Sequence, residues 1–137
     1  MYHGIVPEGA HTLAAQLHYL ARNFNVVSLE TMVNRRTNGA LPGANEIVLT
    51  FDDGLRNNFT VVYPLLREFQ IPATFFVCPA LVESGAWLWN HEMRCRLQTL
   101  SAVALAELRV KLLAPGTSVE GITEWMKTLR MAQRHKA

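Results

Sequence analysis

The chain has 137 residues, of which half are hydrophobic and 18% are charged, a balance typical of one globular domain. Its formal net charge of +2 is too small an excess to indicate nucleic-acid binding. Two cysteines, Cys78 and Cys95, exclude a metal site made of cysteines alone and indicate no disulfide framework. No stretch reaches the length of a membrane span, and no signal-peptide pattern is visible. We therefore expect a soluble protein, and its compartment stays open.

Short strands and helices are predicted to alternate over the first half of the chain. Residues 1–5 are apolar and predict the end of a strand, in which His3 either faces a site or has a structural role. A helix is predicted from Thr12, a short strand at residues 26–27, and a second helix with Ser28 as its N-cap. The residues predicted to face inward are Leu13, Leu17, Leu20 and Phe24 in the first helix, and Leu29, Met32 and Val33 in the second.

A continuous apolar run at residues 46–51 predicts a strand buried on both faces, and residues 73–78 predict another. Between them Asn57 or Asn58 is the expected N-cap of a helix, and Pro64 predicts a kink or a later start. Its apolar face is predicted to be Phe59, Val62, Leu66 and Phe69. This alternation is typical of βαβ units and a parallel sheet, hence of an α/β fold.

From Trp87 onward the pattern is helical. The first helix carries an apolar stripe, Ser101 is the predicted N-cap of a second helix, and Thr117 with Glu120 resembles a capping box for a third. The stripe comprises Trp89, Met93, Leu97 and Leu100, and the basic back of the third helix comprises Lys127, Arg130 and Arg134. We interpret that basic face as solvated rather than as a membrane or nucleic-acid surface.

Two adjacent carboxylates, Asp52 and Asp53, follow the strand at 46–51, where chemistry gathers in α/β folds. Because side chains alternate along a strand, one carboxylate could reach a metal while the other reaches a substrate or water. Gly54 is expected to turn the backbone with a positive φ. The spacing alone leaves two alternatives open: the carboxylates cap a turn, or they form an acidic Mg²⁺ or phosphoryl site in a doubly wound domain.

The pentapeptide Thr50-Phe51-Asp52-Asp53-Gly54 resembles the first signature motif of the polysaccharide deacetylases. Tyr2-His3, residues 27–30 and residues 72–77 also resemble that family, so the resemblance extends over approximately residues 1–90. It implies an α/β fold with a partial (β/α) barrel at residues 1–86, followed by a helical insertion or extension at residues 87–137.

The same resemblance implies a hydrolase that removes acetyl groups from an N-acetylated polysaccharide or oligosaccharide with a divalent metal, commonly zinc. It assigns Asp52 as the general base and Asp53 as a metal ligand, and it assigns no substrate-binding residue. The metal would polarise the amide carbonyl and lower the pKa of the attacking water, and the base would take the proton of that water.

The sequence departs from the family downstream, since it contains no His-[Ser/Thr]-x-x-His motif to supply the remaining metal ligands. The histidines after Phe76 are His91 and His135, and His91 is either a substitute ligand or an ordinary helix-surface histidine. We therefore expect the N-terminal part of a barrel only. Uncovered strands then predict self-association, poor solubility or coverage by the C-terminal helices. The alternative function is a non-catalytic remnant or glycan-binding module that retains the fold.

Overall fold

The computed structural model of the chain describes residues 1–129. Arg130, Arg134 and His135, which entered the sequence predictions, lie outside the described residues. The chain divides into two compact units, Met1–Pro79 and a second that begins at Ala80. Among the helices of the described part, none combines the length and the apolar character needed to cross a membrane.

The first unit alternates helices and short strands, as predicted, but two predicted strands are shorter. Residues 1–5 contribute only a bridge at Tyr2. The buried strand predicted at 73–78 ends at Phe75 and is half-buried. Its helices are α1 (Ala10–Asn23), α2 (Leu29–Thr37) and α3 (Tyr63–Glu68), and its strands are β1 (Asn25–Val26), β2 (Glu46–Ile47), β3 (Leu49–Phe51) and β4 (Ala73–Phe75). A 3₁₀ turn at Pro7–Gly9 precedes α1, and a π-helical turn at Asn58–Val62 precedes α3.

The strands form two parallel two-stranded sheets. β1 pairs with β2, β3 pairs with β4, and Tyr2 forms a parallel bridge to Phe51. The prediction of an α/β fold with parallel pairing is confirmed, whereas neither sheet closes into a barrel within the described residues. The single strand predicted at 46–51 is wrong, because its two halves on either side of Val48 pair with different partners. Only the second half is the expected buried strand, since β2 is half-buried.

The hydrophobic core of the first unit is centred on Phe51. Its ring is fully buried and stacks between Tyr2, at a centroid distance of 5.1 Å, and Phe75, at 5.2 Å. The buried members of this core are Leu13, Leu17, Leu49, Phe51, Val62, Leu66 and Ile71. Helix α1 therefore buries Leu13 and Leu17 of the stripe predicted for it, whereas Leu20 and Phe24 are half-buried. Helix α3 covers the core through Leu66.

The N-cap of α2 is confirmed, since the Ser28 hydroxyl accepts a hydrogen bond from the Thr31 N–H at 3.0 Å. One of its three predicted core residues, Val33, is exposed instead. The prediction for Val33 is wrong because α2 turns only a narrow face inward, on which Leu29 and Met32 are half-buried.

The segment between Gly54 and α3 differs from the predicted capped helix. Neither Asn57 nor Asn58 caps a helix through its side chain, and Phe59 is 72% exposed rather than part of the core. Pro64 explains the late start of the regular helix. It lies in the first turn of α3, where a missing N–H breaks no intrahelical hydrogen bond.

The second unit is mainly helical, as predicted, although its first predicted helix begins at Trp89 rather than at Trp87. It also contains a short helix that was not predicted. Its helices are α4 (Pro79–Ser84), α5 (Trp89–Gln98), α6 (Ala102–Leu112) and α7 (Val119–Thr128). Its buried core residues are Leu97, Ala114, Ile122 and Met126. The stripe predicted on α5 holds only in part, because Trp89 and Leu100 at its ends are both 39% exposed.

Serines cap two of these helices. Ser101 accepts from the Ala104 N–H at 3.2 Å, which confirms the predicted cap of α6. The capping box predicted for α7 is wrong, because Ser118 rather than Thr117 accepts from a backbone N–H of the first turn. Glu120 instead accepts two hydrogen bonds from Arg94, at 2.8 and 2.9 Å, and so joins α5 to α7.

We predict that Phe51→Ala lowers the free energy of unfolding of the first unit by about 3–5 kcal/mol, because it empties a fully buried aromatic site. Phe59→Ala removes the same side chain from an exposed position and is the matched control. Its expected cost is about 1 kcal/mol or less. Urea unfolding followed by circular dichroism measures both, and equal losses would contradict the placement of Phe51 in the core.

A polar cluster joins α2 to β2. Glu46 forms an ion pair with Arg35, accepts the Gly43 N–H at 2.7 Å, and accepts from Asn25 Nδ2 at 3.3 Å. The Arg35 hydrogen bond is the largest cause of a pKa for Glu46 that lies below its ordinary value, and the Gly43 N–H lowers this pKa further.

We predict that Arg35→Ala raises the pKa of Glu46 towards its ordinary value, as measured by NMR titration. Since the folded-state pKa is the lower one, the ion pair stabilises the fold above the unfolded pKa of about 4.3. That contribution is lost as the pH falls through the folded pKa. The stability difference between wild type and variant should therefore shrink in acid, and a constant difference from neutral pH to acid would contradict it.

Candidate active site at the end of β3

The parallel register brings the N-terminus beside the carboxylate pair. The Tyr2 N–H donates to the Thr50 carbonyl and the Asp52 N–H donates to the Tyr2 carbonyl, both at 2.9 Å. Because Tyr2 and Phe51 run in the same direction, the residues that follow them, His3 and Asp52, leave the sheet at the same edge. This is the carboxyl edge at which functional residues gather in parallel sheets.

The backbone turns sharply after Asp52. Gly54 has a φ of 61°, which confirms the expected positive φ, and Asp53 has a φ of 73°, which was not expected. A left-handed conformation costs a residue with a Cβ about 1–2 kcal/mol, although aspartate tolerates it better than most residues. The alternation argument made for this pair is wrong here, because β3 ends at Phe51 and neither carboxylate lies on a strand.

His3 and Asp53 are in direct contact. Nδ1 of His3 lies 3.0 Å from Oδ2 of Asp53, although the two residues are 50 positions apart in the sequence. The side chains are 59% and 30% exposed, respectively, so the contact is open to solvent. The sequence left the role of His3 open between a site and a structural position, and the structure places this histidine against one of the two candidate site residues.

Asn58 stabilises the backbone of the corner through a hydrogen bond to Asp52. It is 3% exposed, and its Nδ2 donates to the carbonyl of Asp52 at 3.2 Å. This role of Asn58 was not predicted from the sequence, because an asparagine that precedes an apolar run is typical of a helix N-cap. The buried Oδ1 atoms of Asn57 and Asn58 have no hydrogen-bond partner within the described part of the chain.

A mainly apolar cleft of about 230 Å³ opens beside the corner. Phe59 and Tyr63 form one wall as a stacked pair, with ring centroids 5.8 Å apart and planes 10° apart. Both rings are substantially exposed, at 72% and 42%. The residues that line the cleft are Gly54, Leu55, Asn58, Phe59, Tyr63, Phe75 and Val77.

The donors at the corner match a divalent metal in kind but not in number. A carboxylate and an imidazole are ordinary ligands of zinc and similar ions, and Asp53 and His3 provide one of each. A catalytic zinc normally has three protein ligands. Over residues 1–129, no group of three or more His, Cys, Asp or Glu side chains is arranged to hold a metal ion. His91, considered as a substitute ligand, lies on α5 in the second unit.

Comparison with known families identifies a match to the polysaccharide deacetylase model over residues 40–114, which is more than half of the chain. The chain belongs to the polysaccharide deacetylase family. The matched region contains the Asp52-Asp53-Gly54 corner and continues into α6. Among the curated proteins, none matches this chain.

Two solved structures are similar to this chain. One is the Streptococcus pyogenes deacetylase PplD in complex with acetate, with a TM-score of 0.53 and 24% identity, covering 77% of this chain and 60% of that protein. The other is a de-N-acetylase from Aggregatibacter actinomycetemcomitans, with a TM-score of 0.49 and 26% identity, covering 54% of this chain and 34% of that protein. The similarity to the Streptococcus pyogenes deacetylase shows that this chain shares the fold of that protein. The chain spans less than two thirds of the length of either protein.

We predict that Gly54→Ala destabilises the first unit more than Gly39→Ala does. Both glycines have a positive φ, so both variants incur the left-handed cost of about 1–2 kcal/mol. At Gly54 the new Cβ would also lie 2.8 Å from Cγ1 of Val77, whereas at Gly39 nothing lies within 4 Å. Chemical unfolding of both variants tests this difference, and equal losses would show that Val77 does not restrict the corner.

Proposed function

We propose that this chain contributes the first part of the catalytic site of a metal-dependent deacetylase that acts on N-acetylated polysaccharide or oligosaccharide. The observation that carries the proposal is the corner at the end of β3. It places Asp52 and Asp53, which lie in the region that matches the family, beside His3, which precedes that region. The division into the N-terminal part of a (β/α) barrel at residues 1–86 and a helical insertion or extension at residues 87–137 belongs to the same proposal.

Asp52 is the proposed general base. It is half-buried, its N–H is bound to the Tyr2 carbonyl, and its own carbonyl accepts from the buried Asn58, so its backbone is held on both sides. A base held in this way can take the proton of a water that attacks the acetamide carbonyl, and such proton transfers contribute about 10²–10⁴-fold to a rate. Proton removal makes the water a stronger nucleophile towards the carbonyl carbon. The C–N bond then breaks, the acetyl group leaves as acetate, and the sugar nitrogen takes up a proton and is released as an amine.

Asp53 is the proposed ligand of a divalent metal, for which zinc is the ion implied by the resemblance. A metal bound there supplies Lewis-acid activation of the amide carbonyl and of the attacking water. The positive φ of Asp53 supports a functional role, because strained backbone conformations persist mainly where a site requires them. Residues 1–129 supply fewer ligands than a catalytic zinc normally has, so the proposal requires further ligands from outside this described part.

Titration of the chain with Zn²⁺ by calorimetry tests the role of Asp53. We predict that Asp53→Ala removes the binding seen in the wild type, because it deletes the ligand. Asp52→Asn is the matched control, since it changes the neighbouring carboxylate and should leave binding in place. Binding that is unchanged in Asp53→Ala would remove Asp53 from the metal role.

Acetate release from an N-acetylated chitooligosaccharide tests the role of Asp52. In a form of the protein that carries the full ligand set, we expect Asp52→Asn to lower kcat/KM by about 10²–10⁴-fold, because the amide cannot accept the proton. The metal content should stay at the wild-type level. Activity retained within a fewfold of wild type would show that another group is the base.

The second candidate is a glycan-binding module without catalysis, which the cleft favours. The parallel rings of Phe59 and Tyr63 present a flat apolar surface on which a sugar ring could lie. NMR titration with a chitooligosaccharide separates the two functions. Binding that Phe59→Ala abolishes, together with no effect of Asp53→Ala on metal binding, would favour the module over the deacetylase.

A further inference from the structure

The contact between His3 and Asp53 has a chemical consequence that the roles of Asp52 and Asp53 do not include. An ionised carboxylate can only accept hydrogen bonds. A distance of 3.0 Å between Nδ1 and Oδ2 is that of an N–H···O hydrogen bond. The contact therefore requires a proton on Nδ1 of His3, which donates a hydrogen bond to Oδ2 of Asp53. In a neutral ring this is the Nδ1–H tautomer, in which Nε2 is unprotonated.

The backbone next to His3 is fixed by hydrogen bonds and packing. Tyr2, the residue before His3, is bound on both its N–H and its carbonyl to the β3 segment, and its ring stacks on the buried Phe51. A further constraint follows His3, since a Cβ on Gly4 would lie 2.7 Å from Cδ1 of Leu55 and 2.9 Å from Oδ1 of Asn57. The imidazole therefore follows a residue that is bridged to β3, whereas Asp53 lies in a left-handed turn beyond the end of β3.

We propose that His3 is a positioning residue for Asp53. The Nδ1–H of His3 holds Oδ2 and fixes the orientation of the carboxylate in its left-handed turn, in which Asp53 would act as a metal ligand. Hydrogen bonds from neighbouring groups to a ligand carboxylate act in this way in metal sites, and their loss typically weakens metal binding by 10–100-fold. The inference rests on the metal role proposed for Asp53.

The first measurement is the proton position in the metal-free chain. Long-range ¹H–¹⁵N NMR at about pH 8, where an imidazole is ordinarily neutral, distinguishes a proton on Nδ1 from one on Nε2. We expect His3 to carry its proton on Nδ1. His11, an exposed histidine of α1, serves as the internal reference in the same spectrum. A proton on Nε2 of His3, with Nδ1 bare, would overturn the proposal.

The second measurement is metal affinity, with Mn²⁺ as a paramagnetic probe that broadens the Gly54 amide signal. His3→Leu keeps an apolar side chain without a donor, and we expect it to raise the half-broadening concentration by about 10–100-fold. His3→Asn places an amide nitrogen near the position of Nδ1, and it should restore a midpoint close to that of wild type. His11→Leu is the control at a histidine away from the corner and should change nothing.

The outcomes separate this inference from the proposed function. If Asp53→Ala abolishes the broadening while His3→Leu leaves the wild-type midpoint, the metal role stands and the role of His3 is wrong. If His3→Leu and His3→Asn lose affinity equally, the ring itself is required and positioning through Nδ1–H is wrong. If Asp53→Ala retains the wild-type midpoint, the metal role of Asp53 fails, whatever the His3 variants do.

Discussion

The parallel register between Tyr2 and Phe51 is the constraint on which the candidate site depends. Two backbone hydrogen bonds of 2.9 Å set this register, and the stacked rings of Tyr2, Phe51 and Phe75 stabilise it by burial. A shift of one residue would turn each side chain to the opposite face of the sheet. Because the register is held by the core, His3 lies beside Asp53 although its own side chain is 59% exposed.

The corner after β3 places stability and function in opposition. Asp53 and Gly54 both adopt left-handed backbone conformations, and the core residue Phe51 is only two positions before Asp53. The strain is tolerable because Asn58 and Tyr2 bind the backbone of Asp52 on either side. A residue that tolerates the left-handed region without a carboxylate, such as glycine, would relieve the strain at position 53. The carboxylate there is consistent with a chemical role rather than a structural one.

The sequence predicted those features that arise from local periodicity, namely the α1 stripe, the Ser28 and Ser101 caps and the positive φ of Gly54. It could not predict the division of residues 46–51 between two sheets, because pairing partners are set by tertiary contacts rather than by the run itself. The contact of His3 with Asp53 could not be predicted from local sequence either, because it joins residues that are 50 positions apart. The predictions for Asn58 as a cap and Phe59 as a core residue are wrong. Helical spacing of polar and apolar residues predicts a cap and a core face, but it does not show whether that face is covered by other elements.

The corner at the end of β3 is proposed as part of an active site whose remaining ligands lie outside the described residues. The closed barrel and the self-association of the chain stay predictions. Anomalous diffraction at the zinc edge from crystals of this chain grown with Zn²⁺ tests the central claim most directly. We predict an anomalous zinc peak about 2.0–2.2 Å from a carboxylate oxygen of Asp53. Zinc bound at other residues, with no peak at Asp53, would contradict it.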